Sequence, residues 1–324
     1  MAPRSHSTTT PPVDAAVRDF AQAVALGLTD APRWVPARFL YDAVGSELFE
    51  EITELPEYYL TRTEAAILAR AAPEISRLTG PVTLIELGSG SSVKTDHLLR
   101  AYAGGNGSLR YVPVDVSASV LRVATERIGD RFPSVNVAGV NGEYESAFPL
   151  LAHHAPSLLL FLGSTLGNIN QGESVVFWRR VAGAMPAGNH LLLGVDLVKD
   201  PALLHAAYND AAGVTARFTR NLFARMNREL DAGLDLDGIE HVARWNDEWQ
   251  RIEIVGRFRS TQRLRIGPLD IELTIPAGEQ VMTEVSRKFV LTRLTAYLAC
   301  FGFQLVRAFT DERQWFAVLL LQKR

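Results

Sequence analysis

The apolar positions of this chain fall into three successive patterns. From residue 14 to about residue 80 they recur at helical spacing: Val17, Phe20 and Val24 share one face, with Asp14 placed to cap the first turn. A second helical stretch surrounds SELFEEITEL, and Thr61 with Glu64 has capping-box spacing, which predicts a helix starting at Arg62 and running toward Leu78. From residue 82 onward, short continuous apolar runs alternate with helical patterns. The runs are VTLIELGSG (82–90), RYVPVDV (110–116), VNVAGV, SLLLFLG and HLLLGVDL, and the helices between them include SASVLRVATERIGDRF (117–132) and ESVVFWRRVAGAM. Strands apolar on both faces and separated by helices argue for a parallel sheet covered on both sides.

Past Lys199 the rhythm changes. Residues 201–230 read as helix, with Val214, Phe218, Leu222 and Met226 four apart; EHVARW, RIEIVGRF, QRLRIG and LDIELTI then read as strands joined by turns. The chain ends in a helix (LTRLTAYLACFG) and two strands, FQLVRAF and WFAVLLLQ, which can extend the first sheet antiparallel. The predicted architecture is α/β: a disordered tail over 1–13, helices and a doubly wound core over 14–199, an inserted α+β unit over 200–286, and a helix with strands completing the core sheet over 287–324.

Composition narrows the function. At 324 residues, 47% apolar and 21% charged, the chain is globular and large enough for one big domain or two. Lys plus Arg is 33 and Asp plus Glu is 36, a net charge of −3, which removes the usual electrostatic case for a nucleic-acid partner. Cys300 is alone, so neither an internal disulfide nor a cysteine-based metal site is predicted, and it reads as core in an apolar helix. The longest apolar runs, such as 158–162 and 191–193, fall far short of the roughly 20 residues a membrane helix needs, and MAPRSHSTTTPP has no signal core. A cytoplasmic, monomeric protein without a membrane, nucleic-acid or metal partner is the expectation. His153 and His154 are adjacent rather than one turn apart and read as surface residues.

The densest chemistry follows the first predicted strand, in Glu86-Leu-Gly88-Ser-Gly90. Glycines there let the backbone turn tightly and approach a ligand. Val93 stands where a dinucleotide fingerprint has its third glycine, and Glu86 can attract the cationic amino-acid portion of a ligand but would repel a pyrophosphate. Asp115 ends the next strand about 25 residues past Gly90, near the ~20 expected for an acid that receives two ribose hydroxyls. Glu143 and Tyr144 follow the third strand, where an adenine edge and face would lie. Together these resemble the Rossmann-like class I methyltransferase arrangement for S-adenosylmethionine. A nicotinamide oxidoreductase or a non-catalytic cofactor-binding protein is the alternative of another class.

The resemblance then becomes more specific. FLYDAVGSELF, LPEYYLTRTE, ELGSGSSVKT, FLGSTLGN, DLVKD, AYNDAAGVTARFTRN and TEVSRKF occur in the order found in the histidine-specific Nα-methyltransferases of ergothioneine biosynthesis, over nearly the whole chain. That resemblance implies three methyl transfers to the α-amino group of L-histidine, giving Nα,Nα,Nα-trimethylhistidine (hercynine), with S-adenosylhomocysteine as the by-product. It implies that Tyr41, Gly88, Lys94, Asp115, Glu143 and Tyr144 line the cofactor site, Lys94 neutralising the cofactor carboxylate. Glu143 and Tyr144 replace the family's usual Asp and Phe. It further implies that Tyr58, Asn168, Tyr208, Glu284 and Ser286 bind the substrate, with Tyr58 and Asn168 at the reacting amine. Asn168 and Tyr208 offer neutral donors to a carboxylate, while Glu284 and Ser286 can serve the two nitrogens of a neutral imidazole. Ile254 stands where the family has methionine in the ring-binding wall, so an N-methyltransferase for another aromatic amino acid, such as tryptophan, is the alternative acceptor reading.

Overall fold

The computed structural model describes residues 14–104 and 109–324; the predicted disordered tail lies outside the described residues. Its main sheet has the order Phe303–Thr310, Phe316–Lys323, His190–Asp196, Ser157–Phe161, Thr83–Leu87, Leu109–Asp115, Val135–Val137. The strands from His190 to Val137 run parallel, and the last two strands of the chain are added antiparallel at one edge, as their position after the last helix predicts. The first core strand is flanked by the second on one side and by Ser157–Phe161 on the other, so the strand order reverses beside it. A crevice opens at the carboxyl ends of the strands at such a reversal. Ser157–Phe161 and His190–Asp196 are buried at every position, which accounts for their unbroken apolar runs.

A second sheet, ordered Arg33–Trp34, Gln280–Arg287, Arg251–Phe258, Ile239–Asn246, stands over that crevice, and Gln262–Ile266 pairs with Ile271–Ile275 as a separate hairpin. Its edge comes from the N-terminal segment: Arg33 and Trp34 pair parallel with Val281 and Met282. Two residues are too short a run to show a strand period, so this pairing was not readable beforehand.

Three local expectations need correction. The helix predicted from Arg62 begins at Tyr59, and Glu64 does not cap it. Glu64 is buried, accepts from the Gly163 backbone N–H at 2.9 Å and pairs with Lys94, a tertiary use that outcompetes the local cap. The stretch 201–230 is two helices, Pro201–Tyr208 and Val214–Leu230. Between them Asp210 accepts from the N–H groups of Val214 at 2.7 Å and Thr215 at 2.9 Å, starting a new helix. Cys300 is exposed at the end of Leu291–Ala299 rather than in the core.

Candidate active site

A cavity of about 350 Å³ opens at the carboxyl ends of the first core strands. Its floor is the turn after Thr83–Leu87, where Gly88 and Gly90 adopt φ +62° and +51°. Asp115 ends the next strand, and each of its carboxylate oxygens already holds one backbone N–H: Ser117 at 2.9 Å and Gly90 at 2.8 Å. Those bonds fix the side chain and leave its remaining lone pairs for the cavity. Tyr144 packs edge-on against Phe161 and Phe177 and stands 3.5 Å from where a Cβ on Gly88 would lie. Glu143 is half exposed and pairs with Arg38, which also binds Asp19 at 2.9 Å.

The cavity's charges point to its ligand. Among the described residues, Glu50, Asp115, Glu143, Glu145, Glu173 and Glu284 line it against one cation, Arg38. Such a wall suits a nucleoside carrying a positive sulfonium and opposes a pyrophosphate. The donor and acceptor set therefore fits S-adenosylmethionine. Among the described residues, no group of three or more His, Cys, Asp or Glu could hold a metal ion.

A second cavity of about 50 Å³ adjoins the first, and Tyr41, Phe49, Thr165, Asn168 and Glu284 line both. Tyr58, Tyr208 and Ser286 complete the smaller one. Glu284 reaches it because the strand Gln280–Arg287 has a register shift between Met282 and Glu284 against Arg251–Phe258; such a bulge re-aims the side chains beside it. Asn168 arrives on the turn Thr165–Asn168 and donates to Glu284 Oε1 at 2.7 Å. Gly167 permits this approach, since a Cβ there would lie 2.9 Å from the Arg287 carbonyl oxygen. Gly167→Ala is expected to push the turn off the strand, costing about 1–3 kcal/mol by overpacking and weakening the Asn168–Glu284 contact. Thermal melting and histidine titration of the variant together check both parts.

Burial pushes the Glu284 carboxyl up to about 7, against the opposing pull of Lys288 and the Asn168 hydrogen bond. Burial likewise holds the Tyr41, Tyr58 and Tyr208 hydroxyls well above the ordinary tyrosine range, so all three are neutral.

Eleven of the singled-out residues meet at these two cavities, and three do not. Glu86 is buried beneath the glycine turn, with its carboxylate accepting from Thr95 Oγ1 at 2.9 Å and from the Tyr111 hydroxyl. It organises the turn instead of facing the cavity, and burial pushes its carboxyl up to about 7. Lys94 lines neither cavity; its ammonium pairs with buried Glu64. Ile254 lies across from Glu284 in the strand register but packs in the hydrophobic core, on neither cavity wall. Conversely, Trp34, Arg38, Glu50 and Met282 line the large cavity without having been singled out. Their signal was absent because they come from segments with no glycine loop or strand-end acid to mark them.

Comparison with known proteins agrees with this chemistry. Residues 20–323 match the family described as histidine-specific, S-adenosylmethionine-dependent methyltransferase. The chain is 46% identical over 298 residues to the histidine N-alpha-methyltransferase of Mycolicibacterium smegmatis, covering 92% of this chain and 93% of that one. It is 44% identical over 297 residues to the protein of the same name from Mycobacterium tuberculosis, covering 92% of each. A more distant relative, the L-tryptophan methyltransferase trpM of Psilocybe serbica, is 26% identical over 331 residues, covering 93% of this chain and 92% of that one. The chain belongs to the family of S-adenosylmethionine-dependent, histidine-specific methyltransferases.

Proposed function

We propose that the chain transfers three methyl groups from S-adenosylmethionine to the α-amino group of L-histidine, giving hercynine, the first step of ergothioneine biosynthesis. The observation that carries this reading is the shared wall of two adjoining cavities, with Tyr41, Asn168 and Glu284 facing both. In this reading 14–199 with 287–324 form the cofactor core, and 200–286 supplies Tyr208, Glu284 and Ser286 to the acceptor site. The chain works as a monomer in the cytoplasm.

S-adenosylmethionine supplies an electrophilic methyl group on a sulfonium. The protein's task is alignment, bringing the reacting atoms to roughly 3–3.5 Å. Asn168 and Tyr208 hold the substrate carboxylate with neutral donors, which avoids the desolvation cost of a buried ion pair. Tyr58 and Tyr41, neutral in their buried positions, serve the amine as hydrogen-bonding groups and not as bases. The amine attacks only in its neutral form, so the substrate ammonium has to give up a proton before each transfer. Each added methyl removes a donor, and release of a bridging water leaves no protein acceptor stranded.

Incubation with histidine and saturating S-adenosylmethionine, read by mass spectrometry, should yield the trimethylated product; a product that stops at one methyl would sink the reading. Running tryptophan in parallel addresses the other acceptor. Histidine affinity should also depend on pH through Glu284. The folded carboxyl sits at about 7, above its ordinary 4.5, so its ionised form costs stability above that value and the cost fades as pH drops toward 4.5. Only the ionised form accepts the imidazole N–H without restriction. Binding should therefore tighten as pH rises through about 7. In Glu284→Gln only the ligand's own ring step near ~6.5 should remain, a difference that titration between pH 5.5 and 8.5 resolves.

A further inference from the structure

Behind Tyr208 and Ser286 lies a closed cluster of charges that lines neither cavity. Lys288, with a fully buried side chain, pairs with Asp196 at 2.9 Å. It also donates to the Tyr208 hydroxyl and to Ser286 Oγ, each at 2.8 Å. An ammonium has three donors and no acceptor, so these contacts use it completely. Asp196 is held from elsewhere by Lys199 at 2.5 Å and by the Tyr59 hydroxyl at 2.8 Å, so two buried cations surround one carboxylate.

This arrangement governs where hydroxyl protons point. Tyr208 and Ser286 are 2.8 Å apart, and each carries one proton and two lone pairs. Left alone, the two would satisfy each other, one donating and one accepting, and either polarity could face a ligand. With Lys288 donating to both oxygens, one hydroxyl still donates to the other, whose lone pairs are then both used, so that second hydroxyl can face the smaller cavity only as a donor.

We propose that Lys288 is a positioning residue that sets acceptor specificity by holding the Tyr208–Ser286 pair as a hydrogen-bond donor toward the smaller cavity. That wall then takes a group with a lone pair, such as a ring nitrogen, and rejects a ring carrying C–H at that place. Glu284 provides the opposite polarity. A neutral imidazole, with one donor and one acceptor, matches both; a pyrrole or indole offers only the donor. The inference rests on the histidine reading above.

The test is calorimetric titration of the full chain, with S-adenosylhomocysteine present, using histidine and the two pyrrolylalanine isomers. Each isomer keeps a ring N–H and has C–H in place of the acceptor nitrogen. The unmodified protein should prefer histidine by about 100-fold or more, since a buried donor left unpaired is strongly penalised. Lys288→Met should reduce that preference below about 10-fold, mainly by weakening histidine, and Lys288→Gln, which restores amide donors, should fall between. The Met variant leaves Asp196 paired with Lys199 and Tyr59, so no charge is orphaned and folding should survive. Should its melting curve show otherwise, the ratio in the Gln variant decides. A purely structural Lys288 would weaken both ligands by one factor and keep the preference unchanged, which overturns the inference while the histidine reading stands. Equal binding of histidine and pyrrolylalanine by the unmodified protein overturns both.

Discussion

Glu284→Ala is expected to lower kcat/KM for histidine by about 100-fold, as follows from losing a hydrogen bond to a charged group worth about 1.5–3 kcal/mol. The same change should cost turnover of tryptophan less, because the larger and less polar indole leaves the enclosed carboxylate poorly solvated, a penalty that alanine removes together with the bond to the ring N–H. Glu284 stands on both cavity walls, partly buried, with one oxygen accepting from Asn168 at 2.7 Å and the other available. Folding should tolerate the substitution. The carboxyl is pushed up to about 7 by burial, so at pH 8 its charge opposes the folded state, and alanine removes that penalty together with the bond. Parallel steady-state assays with the two amino acids give the decisive ratio. Equal losses for both would mean that Glu284 supports the site's shape and does not recognise the ring.

The parts of this protein that could be read from the sequence are those in which local pattern and tertiary use coincide. The parallel core is such a part: strands such as Ser157–Phe161 are buried on both faces, so the apolar run is itself the structure. Asp115 was legible for a related reason, since a strand end two residues from a helix start leaves an acid little choice of direction. Glu86 shows the opposite case. Its place before the glycine turn suggested a ligand, yet strand alternation sends its side chain under the turn to Thr95 and Tyr111, two hydroxyls from different elements. The Lys94–Glu64 pair was not legible because Glu64 lies 30 residues away on the helix Tyr59–Thr79, where it had the spacing of a cap. Lys288 is the clearest limit. In the phrase TEVSRKF it looks like one more strand lysine, and only the meeting of His190–Asp196, Pro201–Tyr208 and Gln280–Arg287 gives it three buried partners.

At the other end of the site, Asp115→Asn should weaken binding of S-adenosylhomocysteine by about 100-fold, with Glu143→Gln costing under about 10-fold, the ranking expected for charged, enclosed hydrogen bonds over exposed ones. Asp115 presents two oxygens, each anchored by one backbone N–H, and so offers a rigid pair of acceptors to vicinal hydroxyls. An amide there exchanges one acceptor for a donor. It loses a ribose contact, and it also sets an N–H group against the N–H of Gly90 or Ser117. The second effect should appear without any ligand, as a loss of about 1–3 kcal/mol in unfolding free energy from a backbone donor left unpaired. Glu143 differs in both respects: its side chain is 52% exposed and already engaged by Arg38, so water and the guanidinium buffer its loss. Calorimetry with S-adenosylhomocysteine and denaturant unfolding of the two variants separate the contributions. If Asp115→Asn lost stability but kept its affinity, the acid would be a brace for the glycine turn alone, and the ribose would have to be held by other groups on the cavity wall, of which Glu143 is the nearest in kind.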